Sequence, residues 1–209
     1  MIRVLLADDH TIVRSGLKQI LDSDPAMNVV FEAGNGNEVV EFVRGNPIDV
    51  VVMDITMPGR NGLEALKDLK RMDPRLPVLV LSMHPHDQYA VRVLKAGAAG
   101  YITKESAPDE LVTAIKKAFR GGKYISSEVA ELLADHIERG EVDEPHKLLS
   151  DREFEVFLRI GKGRSLTEIA HELNISVKTV STYRTRIIEK TGISTNASIT
   201  RYCLQHCLD

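Results

Sequence analysis

The sequence predicts an α/β fold, a doubly wound five-stranded parallel sheet, joined to a second, smaller all-α domain. Three observations predict it. Short apolar runs alternate with helix-periodic segments about every 25 residues through the first 122 positions, the pattern of repeated strand-helix units. The run Ile48–Met53 is rich in valine and flanked by Pro47 and Pro58, as suits a strand buried on both faces. From Leu148 onward the apolar spacing is helical throughout.

In order, Ile2–Ala7 reads as the first strand, and Ile12, Val13, Leu17, Ile20 and Leu21 recur at helical spacing until Asp24-Pro25. Val29–Phe31 is the second strand, and Gly45 closes the helix through Val39, Val40 and Val43. After the third strand, Ile48–Met53, come a helix marked by Leu63, Leu66, Leu69 and Met72 and a fourth strand, Val78–Leu81. Tyr89–Ala96 is helical up to Gly97, and Gly100–Thr103 is the fifth strand. Leu111, Ile115 and Phe119 line the next helix, ended by Gly121-Gly122. Such alternation implies crossover connections and a parallel sheet.

Residues Ser126–Arg139 place Val129, Leu132, Leu133 and Ile137 on one side of a helix, and Gly140–Lys147, acidic and broken by Pro145, reads as linker. The expected division is therefore a domain over 1–122, a helical and acidic linker over 123–147, and an all-α domain over 148–209. In the last, Phe154–Ile160, Leu166–Leu173, Val177–Thr191 and a segment through Ile199, Tyr202 and Cys203 are helical. Ser150 with Glu153 forms an S-x-x-E capping box, and Asn174 with Ser176 breaks and recaps the chain. Two short helices about a tight turn, the second basic, make a helix-turn-helix.

The composition, 43% hydrophobic and 27% charged over 209 residues, is that of soluble globular domains rather than disordered or membrane chains. No apolar run approaches the roughly 20 residues that span a bilayer, and Met1 leads straight into a strand with no signal-peptide layout. A cytoplasmic location, away from membranes, is expected. Cys203 and Cys207 share one helix face without further clear ligands and read as small buried thiols. The net charge of −3 is unevenly spread: 15 Lys+Arg stand against 16 Asp+Glu in 1–122, 3 against 7 in 123–147, and 9 against 7 in 148–209. Only the last segment is basic, which points to a nucleic-acid partner there.

Asp8 and Asp9, Asp54, Ser82 and Lys104 each follow the end of a different apolar run. In a parallel sheet they converge on the carboxyl edge, where open α/β sheets bind ligands. Two carboxylates about 4 Å apart repel by roughly 4 kcal/mol at an effective dielectric of 20, so one must be protonated or a cation must be present. Oxygen-only ligands with room for water suit Mg²⁺. Asp54 could then be a nucleophile toward a phosphoryl group, with Lys104 supplying further positive charge. The bland alternative is that Asp8 and Asp9 cap the following helix and Asp54 caps a turn before Pro58. His84 and His86, beside Pro85, read as solvated loop residues rather than metal ligands.

The segments ADDH at 7–10, VVMDITMPGRNG at 51–62, VLVLSMH at 78–84 and KAGAAGYITK at 95–104 resemble the flavodoxin-like receiver domain of bacterial response regulators. LSDREFEVF at 149–157 and LTEIAHELNISVKTVSTYRTRIIEK at 166–190 are similar to the LuxR-type helix-turn-helix, and the combination resembles the NarL/FixJ family over nearly the whole chain. The resemblance implies a two-component transcription regulator, not itself an enzyme beyond catalysing its own phosphorylation and dephosphorylation. Asp54 matches the phosphoacceptor, Asp9 the direct Mg²⁺ ligand and Asp8 the holder of metal-bound water, with the backbone carbonyl of Thr56 completing the protein ligands. Ser82 matches the hydroxyl that bonds the phosphoryl oxygen, Tyr101 the aromatic that can change rotamer with it, and Lys104 the phosphate-pairing lysine. Proline often follows that lysine in the family, with a cis bond. Here Glu105 follows, and a cis bond before a non-proline residue costs about 2.5–4 kcal/mol.

By the same resemblance Ser181, Thr182 and Thr185 turn toward bases, while Lys178, Arg184, Arg186 and Lys190 are candidates for the phosphate backbone. Arg184 could instead pair internally with an acid. The implied partners are a sensor histidine kinase, double-stranded DNA, RNA polymerase and, once phosphorylated, a second copy of the chain. Phosphorylation would act through homodimerisation or through unmasking of Val177–Lys190. An aspartyl-phosphate phosphatase would need a second aspartate two residues beyond Asp54, where Thr56 stands. The remaining alternative is a DNA-binding regulator whose receiver-like domain works without phosphorylation.

Overall fold

The computed structural model describes residues 1–83, 88–138, 145–206 and 208. His84, His86, positions 139–144 of the expected linker and Cys207 lie outside them. The chain divides into two compact units, Met1–Asp135 and His136–Asp209.

In the first unit the strands are β1 (Ile2–Ala7), β2 (Met27–Ala33), β3 (Val50–Asp54), β4 (Val78–Ser82) and β5 (Gly100–Thr103). They alternate with α1 (Thr11–Asp22), α2 (Gly36–Gly45), α3 (Gly62–Met72), α4 (Gln88–Lys95) and α5 (Ala107–Phe119). All strand pairs are parallel, in the order β2-β1-β3-β4-β5. The order reverses between β1 and β3, so a crevice opens at their carboxyl ends. The period-two alternation of strand side chains divides the core in two. Leu5, Val51, Met53 and Val80 pack with α2, α3 and α4, whereas Leu6, Val52, Leu79 and Leu81 pack with α1 and α5.

The strands are better matched at their carboxyl ends than the apolar runs alone imply. Asp54 and Ser82 are the last residues of their strands rather than the first residues after them, because the ladder pairs Asp54 with Leu81 and Ser82 with Thr103. β2 is longer than Val29–Phe31, with Met27 and Ala33 buried at its ends and the residues between them only partly covered or exposed. The Lys104–Glu105 peptide is trans.

After α5 the chain returns to the sheet: the Tyr124 N–H donates to the Ala99 carbonyl at 2.8 Å, and Tyr124 forms an isolated parallel bridge with Gly100. α6 (Ser127–Glu138) follows, and Val129 is buried in the core that contains Tyr101, Val93 and Leu94, with Ile125 and Leu133 packed against it. Its apolar stripe therefore seats the start of the expected linker on the first unit.

The second unit holds a 3₁₀ turn (Pro145–Leu148), α7 (Asp151–Gly161), α8 (Leu166–Glu172), α9 (Val177–Thr191) and α10 (Asn196–Gln205) around Phe154, Phe157, Ile169, Val180, Ile187 and Ile199. Capping boxes start α7 (Ser150 with Glu153) and α8 (Ser165 with Glu168). Asn174 turns the chain between α8 and α9 at φ 51°, and Ser176 caps α9. Residues 145–147 are not free linker: His146 is buried, its Nδ1 2.9 Å from the Tyr202 hydroxyl and its ring beside Phe154.

Gly62, the first residue of α3, sits directly on the backbone below Asp54: its N–H donates to the Ile55 carbonyl at 2.9 Å. A Cβ there would collide with the Asp54 carbonyl oxygen and lie 2.7 Å from the Ile55 Cα. Backbone cannot yield as a flexible side chain does, so Gly62→Ala is expected to destabilise the protein by about 1–3 kcal/mol. A urea midpoint equal to that of the wild type would contradict this packing.

Candidate functional site

The carboxyl edge gathers Asp8 and Asp9 just beyond β1, Asp54 at the end of β3, Ser82 at the end of β4 and Lys104 just beyond β5. Asp8, Asp54 and Ser82 are buried, and Lys104 is only 6% exposed. The Lys104 ammonium lies 2.6 Å from Asp8 Oδ2 and 2.7 Å from Asp54 Oδ2. Its bond to Asp54 is well directed, while its approach to Asp8 Oδ2 is an ion pair without a directed hydrogen bond. The other carboxylate oxygens are held by backbone: Asp54 Oδ1 accepts from the Thr56 N–H at 3.1 Å, and Asp8 Oδ1 accepts from the His10 N–H at 2.8 Å. Arg14 donates to the Asp8 carbonyl and so fixes the β1–α1 turn. Neither Asp8 nor Asp9 occupies the α1 N-cap, which is His10.

Burial pushes the Asp54 carboxyl up from the usual carboxylate range to about 6, aided by the neighbouring charge of Asp8. The Lys104 charge, its hydrogen bond and the Thr56 N–H oppose that rise. For Lys104 burial disfavours the ammonium, but the Asp54 and Asp8 carboxylates outweigh it and raise its pKa. A charged lysine thus binds two carboxylates that still carry more negative charge than it neutralises. Asp9 is partly exposed, its Oδ1 2.9 Å from His10 Nδ1, and oxygen or nitrogen atoms of Asp8, Asp9, His10 and Asp54 all lie within 4.8 Å of one another. This donor set could hold a metal ion, and His10 is the member that the sequence reading missed. Its signal was present, since it directly follows the two aspartates.

Tyr101 is 1% exposed and belongs to the core, so the aromatic ring already lies inside rather than at the surface. The Thr56 backbone meets Asp54 through its N–H, and its side chain is exposed.

In the second unit α9 turns Val180 and Ile187 inward and leaves Lys178, Ser181, Thr182, Thr185, Arg186 and Lys190 exposed. These positions do not all stand free. Arg184 donates through Nε to Asn196 Oδ1 at 2.9 Å, so that its internal partner is an amide and not an acid, and Lys190 pairs with the buried Glu153 at 2.6 Å. Thr182 and Thr185 donate their hydroxyls to the carbonyls of Lys178 and Ser181, at 3.0 and 3.1 Å.

Residues 4–116 match the response regulator receiver domain, and residues 147–203 match the luxR family of bacterial regulatory proteins. The chain belongs to the response-regulator family. It is 40% identical over 209 residues to the response regulator UvrY of Escherichia coli strain K12, covering 100% of this chain and 96% of that protein. Among solved structures it is similar to RcsB of Salmonella typhimurium, with TM-score 0.59, 30% identity and 98% of each chain covered. The two-component response regulator RcsB in complex with DNA gives TM-score 0.61 and 29% identity over 97% of this chain and 98% of that one. No helix among the described residues of the regulator is long and apolar enough to cross a membrane.

The raised Asp54 pKa has a consequence for stability. A carboxyl whose folded pKa lies above its unfolded value stabilises the fold at low pH and loses that contribution as pH rises through the folded pKa. In EDTA, the stability of the wild type relative to Asp54→Asn should fall between about pH 4 and pH 7, by up to roughly 3 kcal/mol. Parallel pH profiles of the two proteins in urea denaturation would contradict a buried Asp54 carboxyl with a raised pKa.

Proposed function

We propose that this response regulator accepts a phosphoryl group on Asp54 from a sensor histidine kinase and thereby controls sequence-specific binding to double-stranded DNA and transcription, in the cytoplasm. The observation that carries the reading is the Lys104 ammonium held between Asp8 and Asp54 at the carboxyl ends of three strands. The proposed division of labour is a receiver over 1–122, a linker over 123–147 and a DNA-binding module over 148–209.

Asp54 is the nucleophile, and its carboxylate is oriented by Lys104 on one oxygen and by the Thr56 N–H on the other. Asp9, Asp54 and the Thr56 carbonyl would hold Mg²⁺, with Asp8 positioning its bound water. The clustered carboxylates and their excess negative charge fit a hard divalent cation. When bound, Mg²⁺ supplies positive charge against the transferring oxygens. Phosphorylation adds about −1.5 to −2 charge and three acceptor oxygens. Lys104 then exchanges part of its bond to Asp54 for the phosphoryl group, Ser82 donates its hydroxyl to it, and the packing around Tyr101 readjusts. The same residues serve phosphoryl transfer from small acyl phosphates.

The output is a homodimer that presents two copies of α9 to a twofold operator. Two RcsB dimers bound to two parallel DNAs support that arrangement. Lys178 and Arg186 face the phosphates, Ser181, Thr182 and Thr185 face base edges, and Arg184 and Lys190 contribute chiefly by fixing α9 to α10 and α7.

Acetyl phosphate with Mg²⁺ should modify the wild type, leave Asp54→Asn unmodified, and tighten binding to DNA fragments selected by the phosphorylated protein. Equal affinity of both forms for the selected DNA would instead identify a receiver that works without phosphorylation. Lys178→Ala should weaken binding almost uniformly across sequences and reduce the slope of log affinity against log salt by about one. Loss confined to one base pair, with the salt slope unchanged, would assign Lys178 to base reading.

A further inference from the structure

The proposed metal site is written in oxygen donors, yet the structure places an imidazole nitrogen among them. His10 is the N-cap residue of α1, but its side chain makes no capping hydrogen bond. The ring is turned to the carboxylates instead: Nδ1 lies 2.9 Å from Asp9 Oδ1 and 3.3 Å from Asp8 Oδ1. With metal–ligand bonds of about 2.1 Å, neighbouring ligands lie about 3.0 Å apart in an octahedron and about 3.4 Å apart in a tetrahedron. The distance to Asp9, the direct ligand proposed above, falls in the range of adjacent vertices around one ion. The backbone that carries the ring is held in place, since the His10 N–H is bonded to Asp8 Oδ1 and Arg14 holds the Asp8 carbonyl. The ring itself is 65% exposed and can rotate to present its lone pair.

We propose that His10 is a cation-selecting residue of the phosphorylation pocket, adding a nitrogen donor that lets the site hold borderline divalent ions such as Co²⁺ and Zn²⁺ as well as Mg²⁺. The inference rests on the carboxylate metal site proposed above. Carboxylate, carbonyl and water ligands suit Mg²⁺, whereas imidazole raises affinity for ions later in the first transition row. Mg²⁺ binding is satisfied by oxygen and gains little from His10. Co²⁺ and Zn²⁺ gain a strong ligand, so this pocket should discriminate less against them than a pocket built of carboxylates alone.

Full-length wild type, His10→Ala and Asp9→Asn are titrated with MgCl₂ and separately with CoCl₂, following heat of binding and the visible absorption of Co²⁺. His10 is largely exposed, and a thermal melt verifies that His10→Ala is folded. The expected result is a Co²⁺ affinity at least tenfold weaker in His10→Ala, with a shifted Co²⁺ absorption band and a Mg²⁺ affinity within twofold of wild type. Excess Mg²⁺ should displace Co²⁺ from the wild type. Unchanged Co²⁺ affinity and spectrum in His10→Ala would overturn the proposal and leave His10 as a hydrogen-bond donor to Asp9. Mg²⁺ affinity unaffected by Asp9→Asn would fail the carboxylate metal site itself, a result separable from that for His10.

Discussion

The ion pairs that Lys104 makes with Asp8 and Asp54 set the terms for the rest of the first unit. The two carboxylates are almost wholly buried, and the lysine that binds them is 6% exposed. Removing one partner from such an arrangement leaves uncompensated buried charge, a loss of about 3–5 kcal/mol. The geometry therefore constrains the sheet. Lys104 follows β5 and Asp54 ends β3, so the ammonium must cross the end of β4, and neighbouring strands are about 4.8 Å apart. The flexible four-carbon stem of lysine spans that gap. At the end of β4 stands Ser82, whose short side chain leaves the path open.

That economy of space links the pocket to the core behind it. Tyr101 is buried in the same cluster as Val93, Leu94, Ala98 and Val129 of α6. Close-packed interiors transmit small displacements rather than absorbing them. In the proposed function a doubly charged group entering beside Lys104 redistributes its bonds, and Met53 and Ile55, on either side of Asp54, belong to the cluster on which α6 is seated. In the proposed function, the start of the linker is thus part of the element that responds, rather than a tether attached to it.

The strand ends were legible because parallel strands buried on both faces give continuous apolar runs, and polar residues stand out where the runs stop. Asp8, Asp54, Ser82 and Lys104 were readable for that reason. The apolar run Val29–Phe31 understates β2 because this strand lies at the edge of the sheet, where partial exposure dilutes the run. The docking of α6 and the buried turn at His146 were hidden by local composition. Charge density around 123–147 marks a linker, yet a single stripe at Val129 seats α6, and one imidazole hydrogen-bonded to Tyr202 anchors the turn. His10 directly follows the two aspartates, but a histidine there becomes a candidate ligand only once its ring direction is known.

The same distinction applies to the basic face of α9. Four basic residues in sequence suggest four phosphate contacts, but Lys190 neutralises Glu153, and Arg184 is bonded to Asn196. Lys178 and Arg186 make no ion pair among the described residues and retain their full charge for a ligand. Each phosphate neutralised contributes about 0.9 to the salt slope on duplex DNA, so two such cations per helix give only a weak electrostatic grip. Thr182 and Thr185 have also committed their hydroxyl protons to the helix backbone, so that in the proposed function only acceptor lone pairs and methyl groups are left to meet the bases. In that reading a single α9 discriminates poorly. Pairing two helices on one duplex doubles both the phosphate contacts and the base contacts within a single binding event. In the proposed function, that is the physical reason for the association of two copies to raise affinity and to offer a point of control.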